Sequence, residues 1–131
     1  MTNTEKQPGV KSDNVHITDD NTIELTLNNK KTHILEVITP TDGQQVWLIA
    51  TFGQIRLGLE TFSDGGMDID DASHFCNLLL DFINTMMEKD KHAKLIDTAL
   101  RKGKIGLLEL AAVATSAFTI IQRNGDNVGE K

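Results

Sequence analysis

Asp70, Asp71 and His74 fall within one helical turn of each other, and Cys76 follows two residues later. In a helix, His74 stands i+4 from Asp70 and i+3 from Asp71, close enough for a carboxylate–imidazole contact. These are metal-ligand types, but a metal centre needs three or four strong ligands and no further one can be placed nearby. The simpler account is a helix start whose acids complement the positive end of the dipole, with a local His–Asp contact. Cys76 falls on the apolar side of the same segment and reads as a packed sulfur rather than a nucleophile.

Residues 63–71 hold Asp64, Asp68, Asp70 and Asp71. Their spacing lacks the D-x-D-x-D-G…E order of a calcium-binding loop. Asp68 and Asp70 are a carboxylate pair of the sort used for acid–base work, which also requires a pocket, and nothing nearby suggests one. His16, His33 and His92 are scattered without matching partners. Lys102-Gly103-Lys104-Ile105-Gly106 mixes glycine and lysine but does not form a phosphate loop, and neither G-x-G-x-x-G nor G-x-S-x-G occurs. The expectation is a protein with no catalytic residue, no metal and no cofactor.

Bulk properties narrow the class. The chain has 131 residues, a net charge of −6 and 39% hydrophobic residues, which suits one globular domain. The acidic balance argues against nucleic acid as a partner, because phosphate neutralisation needs clustered Lys and Arg. Cys76 is the single cysteine, which fits a reducing cytoplasm. The first fourteen residues lack the apolar run of a signal peptide. The longest apolar stretch, 105–121, carries Glu109, Thr115, Ser116 and Thr119 and reads as a buried helix rather than a membrane span.

The positioning elements follow from periodicity. Residues 1–14 and 124–131 are polar and aperiodic and read as flexible tails, leaving a domain over 15–123. Ile23, Leu25 and Leu27 alternate with polar residues, Asn28 to Lys31 form a polar turn, and 32–38 is rich in β-branched residues, which together describe a β-hairpin. After Pro40, the T-x-x-Q pattern of Thr41 and Gln44 is a capping box with Asp42 in the first turn, predicting a helix over 42–60. Val46, Ile49, Ala50, Gly53 and Leu57 share one face of that helix. A pair of strands competes for 46–62, which would extend the hairpin into a β-meander. The segment is dense in Val, Trp, Ile, Thr and Phe, and Gly53 and Gly58 each disfavour helix by about 1 kcal/mol. The capping box favours the helix.

Ala72, Phe75, Cys76, Leu79, Phe82, Ile83, Met86 and Met87 follow the i, i+3, i+4 rule and predict a helix over 69–89. A shorter helix over 92–102 turns Ala93, Ile96, Ala99 and Leu100 inward and ends at Gly103. A last helix over 107–122 is apolar nearly all round, which places it at the core centre or in a subunit interface. The fold class is α+β: an N-terminal hairpin or meander, then a small helical bundle.

Charge is segregated along the chain. Between Leu57 and Glu88 the charged residues are Glu60, Asp64, Asp68, Asp70, Asp71, Asp81 and Glu88 itself, with no Lys or Arg. Between Lys89 and Lys104 the bases Lys89, Lys91, Lys94, Arg101, Lys102 and Lys104 face only Asp90 and Asp97. These are two solvated helix faces, or the two sides of a head-to-tail contact between copies, which salt would weaken. The candidate protein-binding residues are therefore acidic Glu60, Asp64, Asp68, Asp70 and Asp71, and basic Lys91, Lys94, Arg101, Lys102 and Lys104. Met86, Met87, Leu108 and Val113 join them, as apolar groups at the long helix's end and on the last helix.

Ile23-Glu24-Leu25-Thr26-Leu27, followed by Thr32-His33-Ile34-Leu35-Glu36-Val37-Ile38-Thr39-Pro40-Thr41-Asp42-Gly43, resembles the opening of the tail assembly chaperones of long-tailed bacteriophages. Both have a short hairpin running into a Pro-Thr helix start, small size, acidity and a helical remainder. The resemblance implies a non-virion, self-associating helper in the host cytoplasm that coats the tape-measure protein and helps recruit tail-tube subunits. It carries over no binding residue. The alternative is a small acidic inhibitor or immunity-type protein whose residues 60–81 mask a basic site on a target.

Overall fold

The computed structural model describes residues 12–18, 21–66 and 68–129, without the side chains of 63 and 124–129. Three strands, β1 (Val15–Ile17), β2 (Thr22–Thr26) and β3 (Thr32–Glu36), form an antiparallel sheet in the order β1-β2-β3. Four helices follow: α1 (Asp42–Ser63), α2 (Ile69–Met86), α3 (Asp90–Arg101) and α4 (Leu107–Gly129). The fold is α+β, with the strands first and the helices after.

The alternation read in β2 sets the sheet's inner face. Ile23 pairs with Leu35 and Leu25 with His33, and Ile23, Leu25 and Leu35 are buried while Glu24 and Thr26 sit on the other side. At the hairpin tip the Leu27 N–H donates to the Lys31 carbonyl at 2.8 Å, with Lys30 at a φ of 72°. The third strand precedes the hairpin. β1 pairs Val15 with Leu25 and Ile17 with Ile23, and the Asn14 carbonyl accepts from the Thr26 N–H at 2.8 Å. A three-residue strand is too short to show a period, so it was not anticipated. Of the expected tails, residues 1–11 and 130–131 lie outside the described residues.

α1 settles the competition over 46–62 in favour of helix. The Thr41 hydroxyl accepts from the Gln44 N–H at 3.2 Å, and the Gln44 side-chain oxygen accepts from the Thr41 N–H at 2.9 Å. This reciprocal pair satisfies two backbone donors that the helix cannot. At the other end Gly65, at a φ of 74°, donates to the Phe62 carbonyl, and Gly66 donates to Thr61, both at 3.1 Å. That Schellman closure needs a left-handed residue, which glycine adopts without steric cost.

α2 ends at Met86, earlier than its apolar pattern suggested, because the chain there leaves the helix to meet the sheet. Val37 bridges Met87, the Ile38 N–H donates to the Met86 carbonyl at 2.9 Å, and the Glu88 N–H donates to Glu36 at 2.8 Å. α3 closes as read, with Gly103 at a φ of 72° completing a second Schellman motif onto Ala99 and Leu100. α4 occupies the core centre, packing on β1, β2 and all three other helices, with Leu110, Val113, Ala114, Ala117 and Ile120 fully buried. Its backbone stays helical to Gly129, past the expected end at 122. Phe52, Phe82 and Phe118 join α1, α2 and α4, with the Phe52 and Phe118 rings stacked at 4.2 Å.

Candidate protein-docking surface

α1 is apolar on two opposite sides. Leu48, Thr51 and Ile55 are buried and Phe52 and Leu59 pack against the same core, so this side faces α2 and α4. Gly58 belongs here too: a Cβ at that position would collide with the Phe75 ring of α2. Val46, Ile49, Ala50, Gly53 and Leu57 do share a face, as their spacing requires, but it is the solvent side. Val46 is 69% exposed, Ile49 60% and Leu57 66%, and a Cβ on Gly53 would meet nothing. Trp47 and Phe62 are also exposed at the edges of the helix.

The outer stripe has a coiled-coil period. Gly43, Val46, Ala50, Gly53, Leu57 and Glu60 step by three and four residues, the a/d pattern of a helix seam. On that frame Leu48 and Ile55 take the position diametrically opposite the seam, which is where the structure buries them. The stripe is about 26 Å long at 1.5 Å per residue. Val46, Ile49 and Leu57 are thus grouped on one side of the helix rather than scattered singly over the surface. The two overlapping periods are what made 46–62 look strand-like, because apolar residues on both sides of a helix erase its amphipathic signature.

The residues singled out for binding divide by location. Met86, Met87 and Val113 are buried core residues, Met87 bridging Val37, and present no surface to a partner. Leu108 is exposed on the first turn of α4. Glu60, Asp64, Asp68, Asp70 and Asp71 are all exposed around the α1–α2 turn. Asp68 caps α2, its carboxylate accepting from the Asp71 N–H at 2.8 Å. Lys91, Lys94, Arg101 and Lys102 are exposed and Lys104 is half-buried. The ion pairs among the described residues are Lys89 with Glu36 at 3.1 Å and Arg101 with Asp97 at 3.0 Å, so neither ties the acidic turn to the basic segment. The hairpin tip adds to the basic side. Asn28 donates from its backbone to the Lys104 carbonyl at 2.9 Å and from its amide to Gly103 at 3.0 Å, bringing Lys31 and His33 into a pocket of about 190 Å³ with Lys102 and Lys104.

The chemical constellation lies apart. His74 is exposed on α2, and no group of three or more His, Cys, Asp or Glu side chains placed to hold a metal occurs among the described residues. Cys76 is half-buried against the core; burial, then the nearby Asp97 carboxylate, push its thiol above the ordinary value, which keeps it protonated. His92 accepts a 3.4 Å bond at Nδ1 from the Glu36 N–H, and burial, followed by Lys91, lowers its pKa below that of a free imidazole. Among the described residues no helix is long and apolar enough to cross a membrane. No family model, curated protein or solved structure matches the chain.

Proposed function

We propose that the protein is a non-catalytic binding protein that holds an apolar helical segment of another protein along the outer face of α1. The observation that carries this is the exposed a/d stripe of Val46, Ala50, Gly53 and Leu57 on a helix already anchored by its opposite side. An amphipathic helix laid on such a stripe buries the apolar residues of both partners, with small residues at the centre allowing close approach. Joined to the resemblance of the opening residues, this makes the protein a phage tail assembly chaperone working in the host cytoplasm. Its client is the tape-measure protein, a long helical chain whose apolar stripes need cover before tail-tube subunits arrive.

Co-expression with a candidate tape-measure protein tests the reading. The soluble fraction of the client rises with the wild-type chain and falls back with Leu57→Glu, which places a charge in the stripe. No gain with the wild-type chain counts against it. A second reading, an inhibitor that masks a basic site, is favoured by the exposure of all five carboxylates at the α1–α2 turn. Stoichiometry separates the two: many copies per client for a chaperone, one-to-one for an inhibitor.

A further inference from the structure

We infer that the basic pocket at the hairpin tip is an anion site that takes the phosphate group of a phosphate monoester. It is separate from the outer face of α1 and does not depend on what that face binds. Distant stretches of chain build it. The β2–β3 turn brings Asn29 and Lys31, β3 brings His33, and the end of α3 with the turn after it brings Thr98, Lys102 and Lys104. His33 pairs with the buried Leu25, so it stands on the inner face of the sheet. Buried Leu27 and Ala99, with half-buried Leu95, give the cavity an apolar floor. The backbone N–H and side-chain amide of Asn28 hold the Lys104 and Gly103 carbonyls at 2.9 and 3.0 Å. Two oxygens that would repel an anion are thereby engaged, and the two sides of the pocket are fastened together.

The charges around it are of one sign. No carboxylate is among the lining residues, and among the described residues none of its three lysines is in an ion pair. The acids on the surrounding elements are engaged or turned away. Glu36 binds Lys89 at 3.1 Å, while Asp97 binds Arg101 at 3.0 Å and lines a different groove, the one with α2. Glu24 stands on the outer face of the sheet, between buried Ile23 and Leu25. A chain of net charge −6 that gathers Lys31, Lys102, Lys104 and His33 about one concavity focuses positive potential there.

Size and donor type set the ligand class. At about 190 Å³ the cavity is smaller than the roughly 300 Å³ of a site that encloses a whole small molecule, so it holds a group. Its fixed cations are lysines, point charges that suit phosphate; the planar fork that matches a carboxylate belongs to arginine, and none lines the cavity. Asn29 accepts the Lys31 N–H through Oδ1 at 3.1 Å, which leaves its NH2 group to donate, and Thr98 supplies a hydroxyl. A phosphate monoester, with close to two charges and three terminal oxygens, uses more of these donors than a carboxylate does. No Phe or Trp ring lines the cavity, so a nucleobase has no platform to stack on and the phosphate itself is what is read.

Titration of the isotope-labelled full chain with inorganic phosphate at constant ionic strength, followed by amide NMR shifts, tests the site. The shifts saturate and concentrate at 29–33 and 98–104. Lys31→Gln and Lys102→Gln, both at exposed positions, each weaken binding by at least about threefold, and the double variant by about tenfold. Arg56→Gln, which removes an exposed cation of α1, leaves the affinity unchanged. Acetate binds more weakly than phosphate. A peptide carrying one phosphoserine separates the sources of the group: tighter binding than inorganic phosphate marks a phosphate borne on a protein, equal binding a free one, and both bear the assignment out. A spectrum that phosphate leaves unchanged overturns it. So do shifts that never saturate, acetate binding as tightly as phosphate, or a loss in Arg56→Gln equal to that in Lys102→Gln, since each means a diffuse response to charge.

Discussion

The inner and outer faces of α1 have similar apolar content and opposite consequences. Leu48 and Ile55 are fully buried, while Val46 and Leu57, of comparable size and chemistry, are about two-thirds exposed. Residue type therefore does not separate structure from interface in this helix; position around the axis does. The inner face is needed for folding because α2 and α4 close over it. The outer face adds little to the fold, so its apolar surface is left to be explained by what it meets.

Truncation breaks the symmetry most strongly. Ile55→Ala removes a fully buried side chain and should cost about 2–5 kcal/mol in denaturant unfolding, whereas Leu57→Ala on the outer face should cost no more than about 0.5 kcal/mol. Equal losses would mean that the outer stripe is already packed within the monomer. The two glycines give a sharper, smaller contrast. Gly58→Ala forces a methyl into the Phe75 ring and should destabilise by about 1–3 kcal/mol despite alanine's better helix propensity. Gly53→Ala meets nothing and should stabilise the monomer by up to about 1 kcal/mol. Thermal unfolding at low protein concentration distinguishes the two signs.

The smallest effect lies away from α1, where α3 meets β3. His92 has a lowered pKa in the fold, through burial and the Lys91 charge, with Lys89 and His33 adding to it and Glu36 opposing. The unfolded chain therefore takes up the proton first as pH falls. The stability His92 contributes is fully present above the ordinary imidazole value of about 6.5 and is lost as pH drops through it toward the lower folded value. Protonation also removes the Nδ1 acceptor used by the Glu36 N–H. A His92→Gln variant should flatten this part of the stability–pH curve and leave α1 untouched.

Where one side of an element is buried and the other wet, the sequence was readable. β2, α2 and α3 show a single period each, and of the residues read as inward in α2, Phe75, Leu79, Phe82, Ile83 and Met86 are buried and Cys76 is half-buried. The capping box of Thr41 and Gln44 located the start of α1 because it is a local hydrogen-bond pattern that needs no tertiary context. The orientation of α1 was hidden for the opposite reason. Two apolar stripes on one helix leave no polar side to mark the solvent, and only the packing of Phe75 against Gly58 and of Phe52 against Phe118 decides which turns in. Met86 and Met87 looked like an adaptable surface, but both are buried, where the chain after α2 bridges Val37, fifty positions before Met87. The basic pocket at the hairpin tip was invisible for the same reason, since Asn28 draws Lys31 and His33 toward Lys102 and Lys104 only in the folded chain.

Trp47 offers the most direct test of the docking face. It is the single tryptophan of the chain, 42% exposed and beside Val46 on the edge of the outer stripe. Titration with a helical segment of a candidate tape-measure protein should shift its emission to shorter wavelength and saturate, and Leu57→Glu should abolish the shift. Formation of a complex with the Trp47 emission unchanged would contradict the account, because the partner would then be bound somewhere other than the outer face of α1.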